Sequence, residues 1–561
     1  MALFLGTLLP LCYGLADRPP FLYNWEEYTV GQLVPALADP WPAILGSFRL
    51  SEGLMTDSGR TPLLMAPLLL ATRLGGENLW TLRLFPALFT ALAVPLVYSL
   101  GSETYGRRVG LMAAALTMVS ASFVFYARTA TNVGPSLVPA AATMLALGRW
   151  QRKPTYRTCA CLAALFLAGT YFYATIRFLP LIAVPLVALV WRERGGRLIW
   201  PQAALMFGPL LLFLAVQTPG GPPLVGSVGE YYAGRGEHVG AALVRGEVGT
   251  LGPLLLANAA RYLNLFLSAA TAPVTTDYWN AAGRLYQPLL TVFFLVGLAL
   301  ALRDWRRPAG RTLLLFFFGT SLPIVLTNNL HVGRLLLSLL PLLVLAARGV
   351  VFCLDGVARL WRERPSRSWF IRGFALTGAF AFAAQWGALR EAPTATPYAG
   401  LLLPAAVAWL ASVPLVRWPA GYAACLTLAL AIVAVGAAGE MATTVPAHHP
   451  WVVSQALGAL PGDGDVLLVS WRESGELAEM ETNVLSFYLH DRFAVAAGLP
   501  TSWQSDPLQR RLYVVAGFAQ HQADLPAILP AHVRVVADRA LGEDALRELR
   551  RLYGERLQTA G

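Results

Sequence analysis

Two adjacent carboxylates, Glu26 and Glu27, stand in the first polar segment of the chain, after an apolar run at 3–15. Acidic side chains this close to a bilayer are costly to place and commonly do chemistry. Partial desolvation raises a carboxylate's pKa, which suits it to take a proton from a reacting hydroxyl. The plainer reading is two solvated acids at the membrane interface. A second set of residues is cationic. Arg334 opens an apolar run three positions after His331, Arg128 closes another, and Arg60 precedes a short apolar stretch. Arg177 ends the turn YFYATIR, which also holds Tyr171 and Tyr173. Guanidinium forks match phosphate geometry, and arginines snorkelling at helix ends are the alternative for each. For the two tyrosines the ordinary reading is the interfacial aromatic belt. Asp277 in TTDYWNAAGR can reach sugar hydroxyls or a divalent ion, or simply cap its loop.

The elements that must position these residues are membrane spans. The chain has 561 residues, of which 56% are hydrophobic and only 13% charged, where a soluble domain carries about 25%. Its net charge of +11 does not point to nucleic acid, because the basic residues are nearly all Arg and gather in short loops. The Arg, Ala, Gly and Pro bias is that of a GC-rich prokaryotic genome. Apolar runs near 3–15, 80–100, 109–126, 133–148, 158–172, 174–191, 198–217, 285–302, 312–327, 335–353, 371–388, 398–415 and 421–438 give about thirteen spans. The first is short and lacks a basic flank, which argues against a cleaved signal peptide.

Loops dense in arginine alternate with loops that hold isolated ones. Arg107 and Arg108, then Arg149, Arg152 and Arg157, then Arg192, Arg194 and Arg197, then Arg303, Arg306, Arg307 and Arg311, then Arg359, Arg362, Arg364 and Arg367 mark the dense set. The positive-inside rule makes that side cytoplasmic and leaves Glu26, Glu27, the 218–284 loop and the C-terminal region outside. The outer segments carry two further apolar stretches, at 62–74 and around 254–267, that read as helices in the interface. After about residue 440, buried strands at 465–470, 493–497, 512–516 and 533–537 alternate with helical patterns at 451–460, 483–490, 523–529 and 542–557. That alternation predicts a small α/β domain at 441–561, following a transmembrane region at 1–440. Gly462-Asp463-Gly464 precedes a strand instead of following one, so no nucleotide loop is implied. Cys12, Cys159, Cys161, Cys353 and Cys425 read as packing residues, and His448-His449 lacks spaced partners for a metal.

The order of motifs adds a resemblance. NWEEY (24–28), SGRTPLL (58–64), LRLFPALFTALAVPLVYSLG (82–101), YGRRVGLMAAAL (105–116), YARTATN (126–132) and HVGRLLLSLLPLLVLAARG (331–349) together resemble the GT-C membrane glycosyltransferases, specifically the family 39 group. That group includes dolichyl-phosphate-mannose protein mannosyltransferases and bacterial lipid A aminoarabinose transferases. The resemblance covers roughly residues 1–350. It implies a polytopic helical GT-C fold with its site on the outer face. It also implies a polyprenyl-phosphate-linked sugar donor, lying in membrane lipid, and an outer acceptor that is protein, lipid or glycan. Glu26 becomes the candidate base of an inverting transfer, with Glu27 as its neighbour. Arg334, His331, Arg128, Arg60 and Arg177 become candidates to hold donor phosphate, and Tyr171, Tyr173 and Asp277 candidates for sugar or acceptor contact. The group typically shows Asp-Glu at the acidic pair and often an acidic residue at Asn132, and this chain departs at both. No cofactor is implied with certainty, and a divalent cation is left open. A lipid or solute transporter is one rival; it would place its polar residues at mid-bilayer, and no inverted pair of broken helices is visible. An inactive GT-C subunit is the other.

Overall fold

In the computed structural model the described residues are 2–12, 15–16, scattered positions between 26 and 44, 62–172, 174–217, 248–267, 288–325 and 332–362, with five strands and three residues between 547 and 551 further on. The expected spans at 371–388, 398–415 and 421–438 lie outside the described residues, as do His448 and His449.

The apolar runs become helices close to where composition places them. The helices are α1 (Ala2–Cys12), α2 (Pro62–Gly75), α3 (Leu79–Ala91), α4 (Ala93–Tyr105), α5 (Arg107–Val119), α6 (Ala121–Arg128) and α7 (Val133–Arg152). They continue as α8 (Tyr156–Gly169), α9 (Leu179–Arg194), α10 (Gly196–Gln217), α11 (Val248–Leu267), α12 (Pro288–Arg303), α13 (Pro308–Val325) and α14 (Val332–Arg362). Among the described residues, Leu79–Tyr105 and Leu336–Asp355 are long and apolar enough to cross a membrane unaided. The run expected as one span at 109–126 is instead α5 and α6, which meet at 60°. Ser120 makes the break, its backbone extended at φ −67°, ψ 119°. At 11 residues, α1 reaches about 16 Å and falls short of the hydrocarbon thickness.

Helix α7 is buried nearly all round and forms the centre of the bundle. Its Trp150 donates to Gln202 of α10 at 2.8 Å, and Cys159 of α8 sits in the same contact. Cys161 is exposed, which corrects its reading as a packing residue. Helices α12 and α14 meet at paired glycines. A Cβ on Gly349 would stand 1.9 Å from the Phe293 carbonyl oxygen, and one on Gly297 would stand 1.8 Å from that of Leu345. In lipid, where apolar side chains gain little by leaving solvent, this backbone approach holds the helices together. Gly349→Leu is therefore expected to cost about 1–3 kcal/mol, read as a lowered Tm in detergent; an unchanged Tm would show that the helices do not meet there.

The arginine-rich loops gather at one end of the bundle, held by pairs between elements. Glu103 of α4 takes Arg149 and Arg152 of α7, Glu193 takes Arg311, Asp304 takes Arg348, and Asp355 takes Arg108. Hydrogen bonding from Arg348 holds the Asp304 carboxyl below its ordinary value, and Arg311 does the same for Glu193. Both carboxylates stand in the polar ends beyond the apolar spans. A depressed folded-state pKa adds stability above the unfolded value, and that stability is lost as pH falls through the folded one. We expect Tm in detergent to decline below about pH 4, and the Asp304→Asn protein to lose part of that decline. Since Glu193 is half exposed, its share is small.

The strands β1 (Gly464–Leu468), β2 (Val495–Ala497), β3 (Arg511–Ala516), β4 (Val533–Asp538) and β5 (Leu557–Ala560) form one parallel sheet in the order β2-β1-β3-β4-β5. In register, Val466 lies between Val495 and Tyr513. Parallel neighbours require crossover connections, and these fall outside the described residues except for Arg547, Arg550 and Arg551, which are helical. The helical reading of 542–557 is corrected at its end, where Leu557 begins β5 beside β4.

Candidate active site

The opposite end of the bundle from the arginine-rich loops holds Glu26. Glu26, Thr29, Val30, Leu33 and Ala36 are helical and buried. Their spacing of three to four puts them on one helix face. That face packs on Leu64, Met65, Leu68 and Leu69 of α2, on Leu82 of α3 and on Ala130. The carboxylate thus enters an apolar seat and needs donors there.

Three donors are supplied from distant parts of the chain. Arg83 of α3 donates Nε to Glu26 Oε1 at 2.9 Å and Nη2 to Oε2 at 2.8 Å. The Ala130 amide donates to Oε1 at 2.7 Å. Both side chains of the ion pair are 0% exposed. A buried carboxylate facing a guanidinium edge-on is the geometry in which such a pair repays its desolvation.

Each donor is itself held. Arg83 lies in the second turn of α3, whose start is fixed by the Asn78 side chain accepting from the Thr81 amide at 3.0 Å. Its Nη1 reaches the Leu15 carbonyl at 3.2 Å. Ala130 belongs to the turn Thr129–Asn132 between α6 and α7, buried throughout. The turn closes only because residue 134 is glycine: a Cβ there would stand 2.1 Å from the Tyr126 carbonyl oxygen. Arg128, at the end of α6, donates Nη1 to the Leu11 carbonyl at 2.8 Å. Leu11 is in the last turn of α1, where carbonyls lack helical partners, so Arg83 and Arg128 together tie down the end of α1.

The expected site residues therefore separate. Glu26 is at the centre. Arg128, expected as a phosphate ligand, is buried, and its Nη1 donates to the Leu11 carbonyl of α1. Arg177 donates Nε to the Thr170 carbonyl at 3.1 Å, closing its own turn. Tyr171 packs edge-on against Phe213 at 5.7 Å, as an interfacial aromatic would. Arg334 is in the first turn of α14. Glu27, Arg60, Tyr173, Asp277 and His331 lie outside the described residues. Among the described residues no three His, Cys, Asp or Glu side chains gather to hold a metal.

Arg83 and Ala130 were not among the expected residues. Arg83 had a signal, an arginine inside the apolar run LWTLRLFPALF, where an unpaired charge is prohibitive. A backbone amide has no sequence signal.

A family model described as dolichyl-phosphate-mannose-protein mannosyltransferase matches residues 60–219. No curated protein matches the chain in sequence. Among solved structures, the chain is similar to ArnT from Cupriavidus metallidurans bound to undecaprenyl phosphate, at 16% identity and TM-score 0.52, covering 88% of this chain and 85% of that one. The apo form of the same protein gives 16% identity and TM-score 0.51 over the same shares. An Archaeoglobus fulgidus oligosaccharyltransferase gives 13% identity and TM-score 0.46, covering 88% of this chain and 64% of that one. The fold is thus that of the GT-C glycosyltransferases, which are integral membrane proteins.

Proposed function

We propose that this chain, built on the GT-C fold, is a membrane glycosyltransferase that moves a monosaccharide from a polyprenyl-phosphate carrier to an acceptor hydroxyl on the outer face. The observation that carries the reading is the buried Glu26–Arg83–Ala130 constellation in the first polar segment, at the end of the bundle away from the arginine-rich loops. An anion so expensively housed, in a fold whose solved example binds undecaprenyl phosphate, is read as part of a site and not as bundle stability alone.

In the reaction the acceptor oxygen attacks C1 of the sugar, and the bond from C1 to the phosphate oxygen breaks. The acceptor proton passes to a carboxylate, and the polyprenyl phosphate leaves with the bonding electrons. Direct displacement inverts the anomeric carbon. Glu26 was the expected base, but its oxygens already accept from Arg83 and Ala130. Taking a proton there would oppose a guanidinium that meets both oxygens. We assign Glu26 to holding the first outer segment in place, and the base to its neighbour Glu27. The leaving phosphate is assigned to Arg334, in the first turn of a 31-residue helix. Amide groups and helix dipole at such an end favour an anion as well. The sheet at the C-terminal end would lie on the same outer side and meet the acceptor.

The test offers purified protein in liposomes a panel of radiolabelled polyprenyl-phosphate monosaccharides. Consumption of one of them, with transfer or slow hydrolysis, supports the reading. Binding without consumption of any would point to an inactive GT-C subunit, and movement of an intact solute across the bilayer to a transporter.

A further inference from the structure

Helix α11 carries two buried polar side chains one helical turn apart, Asn258 and Tyr262, so they share a face. Each reaches a different neighbour. Asn258 donates Nδ2 to the Val325 carbonyl at 3.0 Å. Val325 is the last residue of α13, where carbonyls lack helical partners, so this contact closes the end of that helix. The Tyr262 hydroxyl lies 2.6 Å from the Ser321 hydroxyl of α13 and also hydrogen-bonds Ser338 of α14. Ser321 gives its single hydrogen to the Phe317 carbonyl at 2.6 Å. Tyr262 therefore donates to Ser321, and its own oxygen accepts from Ser338. A directed chain from Ser338 through Tyr262 and Ser321 to Phe317 thus joins three helices in one arrangement.

Bundle stability alone is a poor account of this seam. Hydrogen bonds between helices in lipid contribute little to folding, and phenylalanine at 262 would fill the same space. What the two contacts share is the stretch of chain between them. Val325 ends α13, and Ser338 stands in the second turn of α14. His331 and Arg334 both fall between these two positions, and Arg334 is one turn before Ser338. Since α13 starts at the arginine-rich loops, its far end stands at the same end of the bundle as Glu26. One face of α11 therefore fixes both ends of the segment to which the leaving phosphate is assigned.

We propose that Asn258 and Tyr262 are positioning residues for the polyprenyl phosphate, with α11 as a brace that sets the start of α14. They act through Arg334, and the proposal rests on the assignment of the phosphate to it. A displacement of about 1 Å in a group that holds a reactant is enough to weaken its grip severely. A modest hydrogen bond can thus matter more to binding than to folding.

The experiment measures Kd of the purified full-length protein in detergent for undecaprenyl phosphate and for undecaprenol, which lacks the phosphate. Tm and donor turnover are followed beside it. Tyr262→Phe keeps the ring and removes the hydroxyl. It should weaken undecaprenyl phosphate by about five-fold while leaving undecaprenol binding and Tm nearly unchanged. Asn258→Leu should act in the same direction. Arg334→Gln should lose the preference for the phosphate, and adding Tyr262→Phe to it should change nothing further, because both act through one contact. Equal weakening of the two lipids, or additivity with Arg334→Gln, would reduce the seam to a structural role and overturn the brace. Wild-type turnover of a donor with unaltered phosphate binding in Tyr262→Phe would overturn the brace and leave glycosyl transfer standing. Phosphate-selective weakening in a protein that turns over no donor would support the brace and overturn glycosyl transfer.

Discussion

Glu27→Gln is expected to lower sugar transfer by about 10²- to 10⁴-fold, the usual worth of a positioned general base, and to leave Tm and donor-lipid binding unchanged. Gln keeps the size and polarity of Glu but cannot accept the acceptor's proton. Glu26→Gln is the instructive companion. It also loses activity, but through the fold: neutral Gln can still accept from Ala130 and from one arm of Arg83, while the charge that pairs the guanidinium is gone. The two variants therefore lose transfer with different signatures, one with Tm intact and one with Tm lowered. The reverse pattern, Glu26→Gln inactive at full Tm and Glu27→Gln active, would return the base to Glu26.

The second large effect concerns Arg83. Arg83→Met leaves a carboxylate buried at 0% exposure without the guanidinium that meets both of its oxygens. Removing one member of a buried pair costs about 3–5 kcal/mol, because the remaining charge has lost its compensation. The Leu15 carbonyl loses a donor as well, which adds to the cost. The protein should melt well below wild type and transfer no sugar. Adding Glu26→Gln to Arg83→Met removes the stranded charge, so the double variant should recover part of the lost Tm while staying inactive. A coupling of several kcal/mol in that cycle measures the pair; additivity would mean that the two side chains do not meet in the membrane.

The helices could be read from the chain because spans of lipid-facing length need long apolar runs, and this chain supplies them with arginines between. Each apolar run expected between residues 80 and 353 has a helix on it. What could not be read are the places where the main chain makes the decision. The run at 109–126 is apolar without a gap, and only Ser120 in extended conformation shows that it turns. The end of α1 and the start of β5 depend on partners, the arginines at Leu11 and Leu15 and the neighbouring β4. At the site, the sequence marked Glu26 by its charge and its place. It marked neither the amide of Ala130 nor the contact that Arg128 makes with the Leu11 carbonyl.

The glutamate and its donors are also separated in time. Arg83 lies 57 positions after Glu26 and Ala130 lies 104 after it. At about 5–20 residues per second, a ribosome needs roughly 5–20 seconds to make Ala130 once Glu26 exists. For that interval the first outer segment has been made but has nothing to close on, and its acid must wait in water or in the insertion machinery. The order of synthesis thus makes the turn at Ala130 the last piece of the seat, so the site can form only after the helices on both sides of it have entered the bilayer.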